Sequence, residues 1–171
     1  QPLYDNLVLS PIGVVEKRYS TKLRRIHHLS WPRTNSVNAA AARFSVRYSR
    51  MDEIIAAIVE VGKEAVLWSW DVDHAFKNLF VREEDRHLFG FFFDGSYFVD
   101  TRLPFGYRNS PAAWSRVADL LLWILRRGIA RIWIYVDNAL AVSKGWPAAM
   151  LERSFNFRVL HSLKVPAELT K

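Results

Sequence analysis

Apolar residues recur at helical spacing in separate stretches of this chain and form short unbroken blocks between them. Ile54, Ile55, Ile58 and Val59 fall three and four positions apart, the period of a helix that buries one stripe. Ser49 precedes them as a capping residue and Gly62 follows as a stop, so the spacing predicts a helix across this stretch. Ser110-Pro111 opens a second helix, with serine as the cap and proline in the first turn. Its buried stripe would be Trp114, Val117, Leu121, Leu122 and Leu125, with Gly128 just past its end. Pro147 opens a last helix that runs to about Leu163.

The blocks between read as strands. Ala65 to Trp70 is apolar and aromatic and leads straight into Asp71. Leu88 to Phe93 and Tyr97 to Val99 flank Asp94-Gly95, a turn pair that accepts positive φ at low cost. Ile132 to Val136 and Ala139 to Val142 predict another hairpin with Asp137-Asn138 at its tip. Residues 1–50 are irregular and short-stranded, with breakers at Pro11, Gly13 and Pro32. The order is helix, strand, hairpin, helix, hairpin, helix, which predicts an α+β fold with an antiparallel sheet and helices on one face.

Composition narrows the class. Half of the 171 residues are apolar, enough to fill a core and too many for a disordered chain. No apolar run reaches the ~18 residues of a membrane span, and nothing at the N-terminus is laid out as a signal peptide, so no membrane partner is expected. The absence of cysteine excludes a disulfide framework and a thiolate zinc site, and fits an intracellular setting, nuclear or cytoplasmic. Of the net charge of +7, residues 1–50 supply all, with nine Lys and Arg against Asp5 and Glu16. A basic end on an otherwise neutral chain suggests a polyanionic partner, whether nucleic acid, nucleotide or acidic membrane.

Two carboxylates stand out. Asp71 ends an apolar strand and Asp137 sits at an apolar hairpin tip, places where an acid is paired, bound to a metal or serving as a turn residue. Oxygen ligands of this kind suit Mg²⁺, which takes one or two carboxylates together with substrate phosphates.

The words around these acids resemble the reverse transcriptases. Trp70-Asp71-Val72-Asp73-His74-Ala75-Phe76 is similar to motif A, Leu103-Pro104-Phe105-Gly106 through Ser110-Pro111 to motif B, and Tyr135-Val136-Asp137-Asn138 to motif C. Ser10 to Lys17 and Lys22 to Ile26 resemble the fingers, and Leu163-Lys164-Val165-Pro166, ending in Lys171, resembles motif D. The wording of residues 27–30, 88–91 and 97–106 is closest to polymerases of the DIRS-type, tyrosine-recombinase retrotransposons. This resemblance implies a right-hand polymerase palm with partial fingers and no thumb. Residues 1–50 would be the fingers segment and residues 51–171 the palm with motifs A to D, as part of a longer polyprotein with thumb and RNase H regions.

The resemblance also implies roles. Asp71 and Asp137, with the backbone carbonyl of Val72, would hold two Mg²⁺ ions, with Mn²⁺ as an alternative. Lys17 and Arg24 would grip the triphosphate of a deoxynucleotide, and His74 would offer its backbone N–H to it. Phe76 would be the steric gate against a ribose 2′-hydroxyl. Phe105 and Gly106 would lie beside the nucleotide and template, and Lys171 would be a general acid for the leaving pyrophosphate. Trp31, Trp68, Trp70 and Trp133 are core residues or base-stacking surfaces. Asn138 stands where the family has a second aspartate, so the metal pair loses one negative charge. The implied function is RNA-templated DNA synthesis on a template–primer; the alternative is an inactive nucleic-acid-binding or scaffold remnant.

Overall fold

A computed structural model of the chain describes residues 4–16, 21 and 23–169. The elements in order are β1 (Ile12–Glu16), β2 (Leu23–His27), α1 (Val37–Ala40), α2 (Met51–Val61), β3 (Ala65–Val72), β4 (Gly90–Phe93), β5 (Ser96–Val99), α3 (Ser110–Leu125), β6 (Ile132–Tyr135), β7 (Asn138–Lys144), α4 (Gly145–Ser162) and β8 (Ala167–Leu169). They fall into two compact units, each discontinuous in sequence: Gln1–Ser45 with Phe76–Ala113, and Val46–Ala75 with Trp114–Lys171. By sequence the first unit carries twelve Lys and Arg against seven acids, and the second twelve against ten.

The second unit is built on a four-stranded antiparallel sheet in the order β6-β7-β3-β8. Residues paired across strands share a face. Trp68, Trp70 and Val72 of β3 therefore lie with Ala139 and Ala141 of β7 and Ile132 and Ile134 of β6, and all seven are buried. The opposite face carries Asp71, Asn138 and Tyr135 at one end and Trp133, Leu140 and Val142 farther along. Ile54 and Ala57 of α2 pack on that apolar stretch, while α4 meets the other face, where the Ser143 hydroxyl donates to Glu152. Helices on both faces correct the expected one-sided arrangement. Trp133, Leu140 and Val142 are apolar on the face away from α4, and burying each stabilises by roughly 1.5–3 kcal/mol.

Several element ends differ from the sequence reading. The N-cap of α2 is Arg50, without a side-chain cap bond, because the Ser49 hydroxyl donates instead to the Ile134 carbonyl at 3.0 Å. Ile55 and Val59 of its predicted stripe face solvent. Ser110 does not cap α3: its hydroxyl donates to the Pro104 carbonyl at 2.9 Å. The buried stripe of α3 is Trp114, Ala118, Leu121 and Leu125.

The first unit holds two antiparallel hairpins, β1-β2 and β4-β5. Asp94 and Gly95 both take positive φ, the mirror-image turn that matches strand twist, as their sequence suggests. Leu29, Val37, Val81 and Phe89 form its core, with Leu103 and Tyr107 against it.

Candidate active site

In the second unit, the tryptophan face drives β3 into the sheet, and this places its carboxylate. Asp71 is opposite Asn138 in the β3-β7 ladder, and Asn138 is opposite Tyr135 in the β6-β7 ladder. Facing Cα atoms in such ladders lie ~4.5–5.5 Å apart. Asp137 is the next residue back from Asn138, in the turn, and its carbonyl accepts from the Val72 N–H at 2.8 Å. Motifs A and C are thus stitched together at their acidic ends. The turn itself is Val136-Asp137 rather than Asp137-Asn138, since Asn138 already belongs to β7. Val136 has φ +56, an uncommon conformation for a β-branched residue, and the indole of Trp114 donates to its carbonyl.

Asn138 is turned toward its neighbour: its Nδ2 donates to Asp137 Oδ1 at 3.2 Å. An aspartate at this position would present charge where the asparagine presents a donor. The side chains at this end of the sheet offer two carboxylates and one amide oxygen, hard oxygens of the kind Mg²⁺ takes, with one charge fewer than three acids would supply. Among the described residues there is no group of three His, Cys, Asp or Glu side chains gathered for a metal. His74, also in this unit, is exposed with φ +49, its Nε2 3.5 Å from Asp73 Oδ1. Trp68, Trp70 and Trp133 are core, while Trp31, in the first unit, is exposed.

In the first unit a different set converges. The Phe76 and Phe105 ring centroids are 5.1 Å apart, and the Arg24 guanidinium lies over Phe105 at 5.3 Å. Phe76 is buried and Arg24 exposed. Gly106 has φ +106, and a Cβ there would meet the His27 carbonyl oxygen at 2.0 Å, so β2 itself requires glycine at this position. Asn38, which sequence reasoning missed, organises the same loop. Its Nδ2 donates to the Gly106 carbonyl at 2.7 Å and to Ser30 Oγ, and its Oδ1 accepts from the Arg108 N–H. Lys17 and Lys171 lie outside the described residues.

Residues 14–163 match the reverse transcriptase (RNA-dependent DNA polymerase) family. The chain belongs to that family. It is 28% identical over 95 residues to the retrovirus-related Pol polyprotein from transposon gypsy of Drosophila melanogaster, spanning 55% of this chain and 9% of that polyprotein. As a reverse transcriptase fold it resembles the foamy viral protease-reverse transcriptase dRH in complex with double-stranded DNA. The TM-score is 0.70 at 20% identity, over 95% of this chain and 26% of that one. The native prototype foamy virus protease-reverse transcriptase gives 0.65 at 22% identity, over 94% of this chain and 20% of that one. This reverse transcriptase chain therefore corresponds to a small part of the longer proteins it resembles, and at these identities the structural likeness is one of fold. Reverse transcriptases use divalent metals.

Sequence reasoning singled out Asp71 and Asp137 because a carboxylate at the end of an apolar strand is anomalous and the motifs around them resemble the family's. It missed Asp100, Arg25, His27 and Lys77, an ionic cluster in the first unit in which Asp100 and His27 are buried and Arg25 and Lys77 half-buried. The signal for Asp100 was the same one, an acid closing the aromatic strand β5.

Proposed function

We propose that this chain is the nucleotidyl-transfer part of a retrotransposon reverse transcriptase, adding deoxynucleotides to a primer 3′-end on an RNA template. The wording of its motifs supports a DIRS-type source. The observation that carries this reading is the register of β3 and β7, which sets Asp71 against Asn138 with Asp137 one residue away. Asp71, Asp137 and the Val72 carbonyl would hold two Mg²⁺ ions. When bound, these supply charge neutralisation for the primer 3′-hydroxyl and the leaving pyrophosphate.

The chain's other residues bind and orient. Arg24, held over Phe105, offers a planar donor fork to the triphosphate, with Lys17 as a second cation from the fingers. Phe76, backed by Phe105, is the gate against a 2′-hydroxyl, and Gly106 keeps its loop close to β2. His74 presents its backbone N–H, and Lys171 would protonate the leaving group; the roles of Lys17, His74 and Lys171 rest on motif position. A template–primer and deoxynucleoside triphosphates are the partners, with thumb and RNase H regions supplied by a longer polyprotein.

A second reading rests on the Asn138 Nδ2 bond to Asp137. By satisfying that carboxylate without a metal, it favours an inactive nucleic-acid-binding remnant. Primer extension on an RNA template with Mg²⁺ separates the two. Extension abolished by Asp71→Ala establishes the polymerase. Extension only after Asn138→Asp identifies one silenced at motif C, and salt-sensitive binding without extension in either form supports the remnant.

A further inference from the structure

Asp100 is a buried carboxylate surrounded by cations. Its Oδ1 accepts from Arg25 Nη2 at 2.6 Å and from Lys77 Nζ at 3.1 Å, and its Oδ2 lies 3.2 Å from His27 Nδ1. His27 is fixed in turn, its Nε2 3.2 Å from the Gly90 carbonyl oxygen. Arg25 is also held from the other side, stacked over the Phe91 ring at 4.2 Å. Burial would raise the Asp100 carboxyl, but the His27 hydrogen bond and the Lys77 and Arg25 charges outweigh it and hold it at about 2. It is therefore an anion at neutral pH.

The partners are informative through their neighbours in the chain. Arg25 follows Arg24 on β2, Lys77 follows Phe76, and Asp100 stands five positions before Phe105. Two of the three segments that carry the proposed nucleotide-facing side chains thus anchor on a buried acid that belongs to the third. On a strand, adjacent side chains point to opposite faces. Pinning Arg25 to Asp100 on one face of β2 turns Arg24 to the other, where its guanidinium lies over Phe105. A buried carboxylate with charged partners is a poor source of net stability, because its desolvation offsets the attraction. What it imposes well is a fixed arrangement of the segments that meet in it.

We propose that Asp100 is a positioning residue that fixes Arg24, Phe76 and Phe105 relative to one another, so that the grip on a triphosphate and the gate against a 2′-hydroxyl are set together. This rests on the reading that those three side chains hold the incoming nucleotide. The gate end is adjusted through Lys77 and the grip end through Arg25.

The test is titration of the full chain, on a primer–template with Ca²⁺, against dATP and ATP, which differ only at the 2′ position. Melting is followed in parallel. Asp100→Asn should weaken dATP binding by roughly tenfold and narrow the dATP-over-ATP preference, while the protein remains folded at the assay temperature. Lys77→Met should narrow the preference with little change in ATP affinity, and Arg25→Met should weaken both nucleotides alike. If Asp100→Asn does not fold, the contrast between the Lys77 and Arg25 variants decides. A folded Asp100→Asn protein with unchanged affinity and preference overturns the proposal, as would Lys77 and Arg25 variants that melt earlier but bind as the native chain does. Failure of the native chain to bind dATP overturns the nucleotide-site reading and the proposal with it, whereas native binding with no effect of Asp100→Asn overturns the proposal alone.

Discussion

The indole Nε1 of Trp114, buried in α3, donates to the carbonyl oxygen of Val136 at 2.6 Å. That carbonyl belongs to the turn between β6 and β7, the turn that carries Asp137, and Val136 itself sits at φ +56. The long helix therefore acts on the turn directly. It holds a conformation that a β-branched residue would otherwise leave, at a backbone cost on the order of 1–3 kcal/mol. Trp114→Phe removes the donor together with the five-membered ring at a buried site, and should lower stability by about 1–3 kcal/mol. Urea unfolding measures this, and an unchanged midpoint would mean the turn holds itself.

At Asn138 the expected change depends on metal. Asn138→Asp replaces a donor facing Asp137 with a second carboxylate, a like-charge contact worth about 1 kcal/mol at an exposed position. In chelator the variant should melt below the native chain. Millimolar Mg²⁺ should raise its melting temperature more than it raises that of the native chain. An equal response of both proteins to Mg²⁺ would show that position 138 takes no part in metal binding.

Gly106→Ala should be severe. The added methyl would sit 2.0 Å from the His27 carbonyl oxygen, at a φ of +106 that alanine does not adopt. A loss of roughly 3 kcal/mol or more is expected in denaturant unfolding. A variant that unfolds like the native chain would show that β2 can move away from the loop.

The Asp100 cluster predicts an acid sensitivity whose sign follows from the direction of the shift. The folded carboxyl is held at about 2, below its ordinary 3.8, so its stabilisation is present above about pH 4 and is lost as pH falls toward 2. Protonating it withdraws roughly 2 kcal/mol. Between pH 6 and pH 3 the native chain should therefore lose more stability than Asp100→Asn, as read from denaturant midpoints. Parallel losses would place the acid-labile group elsewhere.

Much of this was legible in the sequence. The tryptophan strand running into Asp71, the Asp94-Gly95 turn and the helix opened by Ser110-Pro111 are all where local chemistry predicts them, because each is decided by residues within a few positions. The mistakes have the opposite character. Ser49 and Ser110 look like caps, yet their hydroxyls go to carbonyls of Ile134 and Pro104, partners that helix-cap rules do not consider. Ile55 and Val59 have the right period but no element over them. Gly106 looked like a concession to a ligand, and the close approach it permits is made by the chain's own β2. The Asp100 cluster draws on residues 25, 27, 77 and 100, and spacing gives no sign of such a meeting.

The discontinuity of the two units has a consequence for how the molecule is made. The chain passes from one unit to the other after Ser45, after Ala75 and again after Ala113. On a ribosome, β3 emerges with its aromatic face complete long before β7 exists to pair with it, and β8 follows later still. The first unit also stays unfinished until the motif B loop has been synthesised. A strand bearing Trp68 and Trp70 must therefore wait, unpaired, while some seventy further residues are added, and at ~5–20 residues per second that is an interval of several seconds. Slow or paused translation through residues 73–144 should then favour aggregation during synthesis, and purified chain refolded all at once, with every partner strand already present, would escape that hazard.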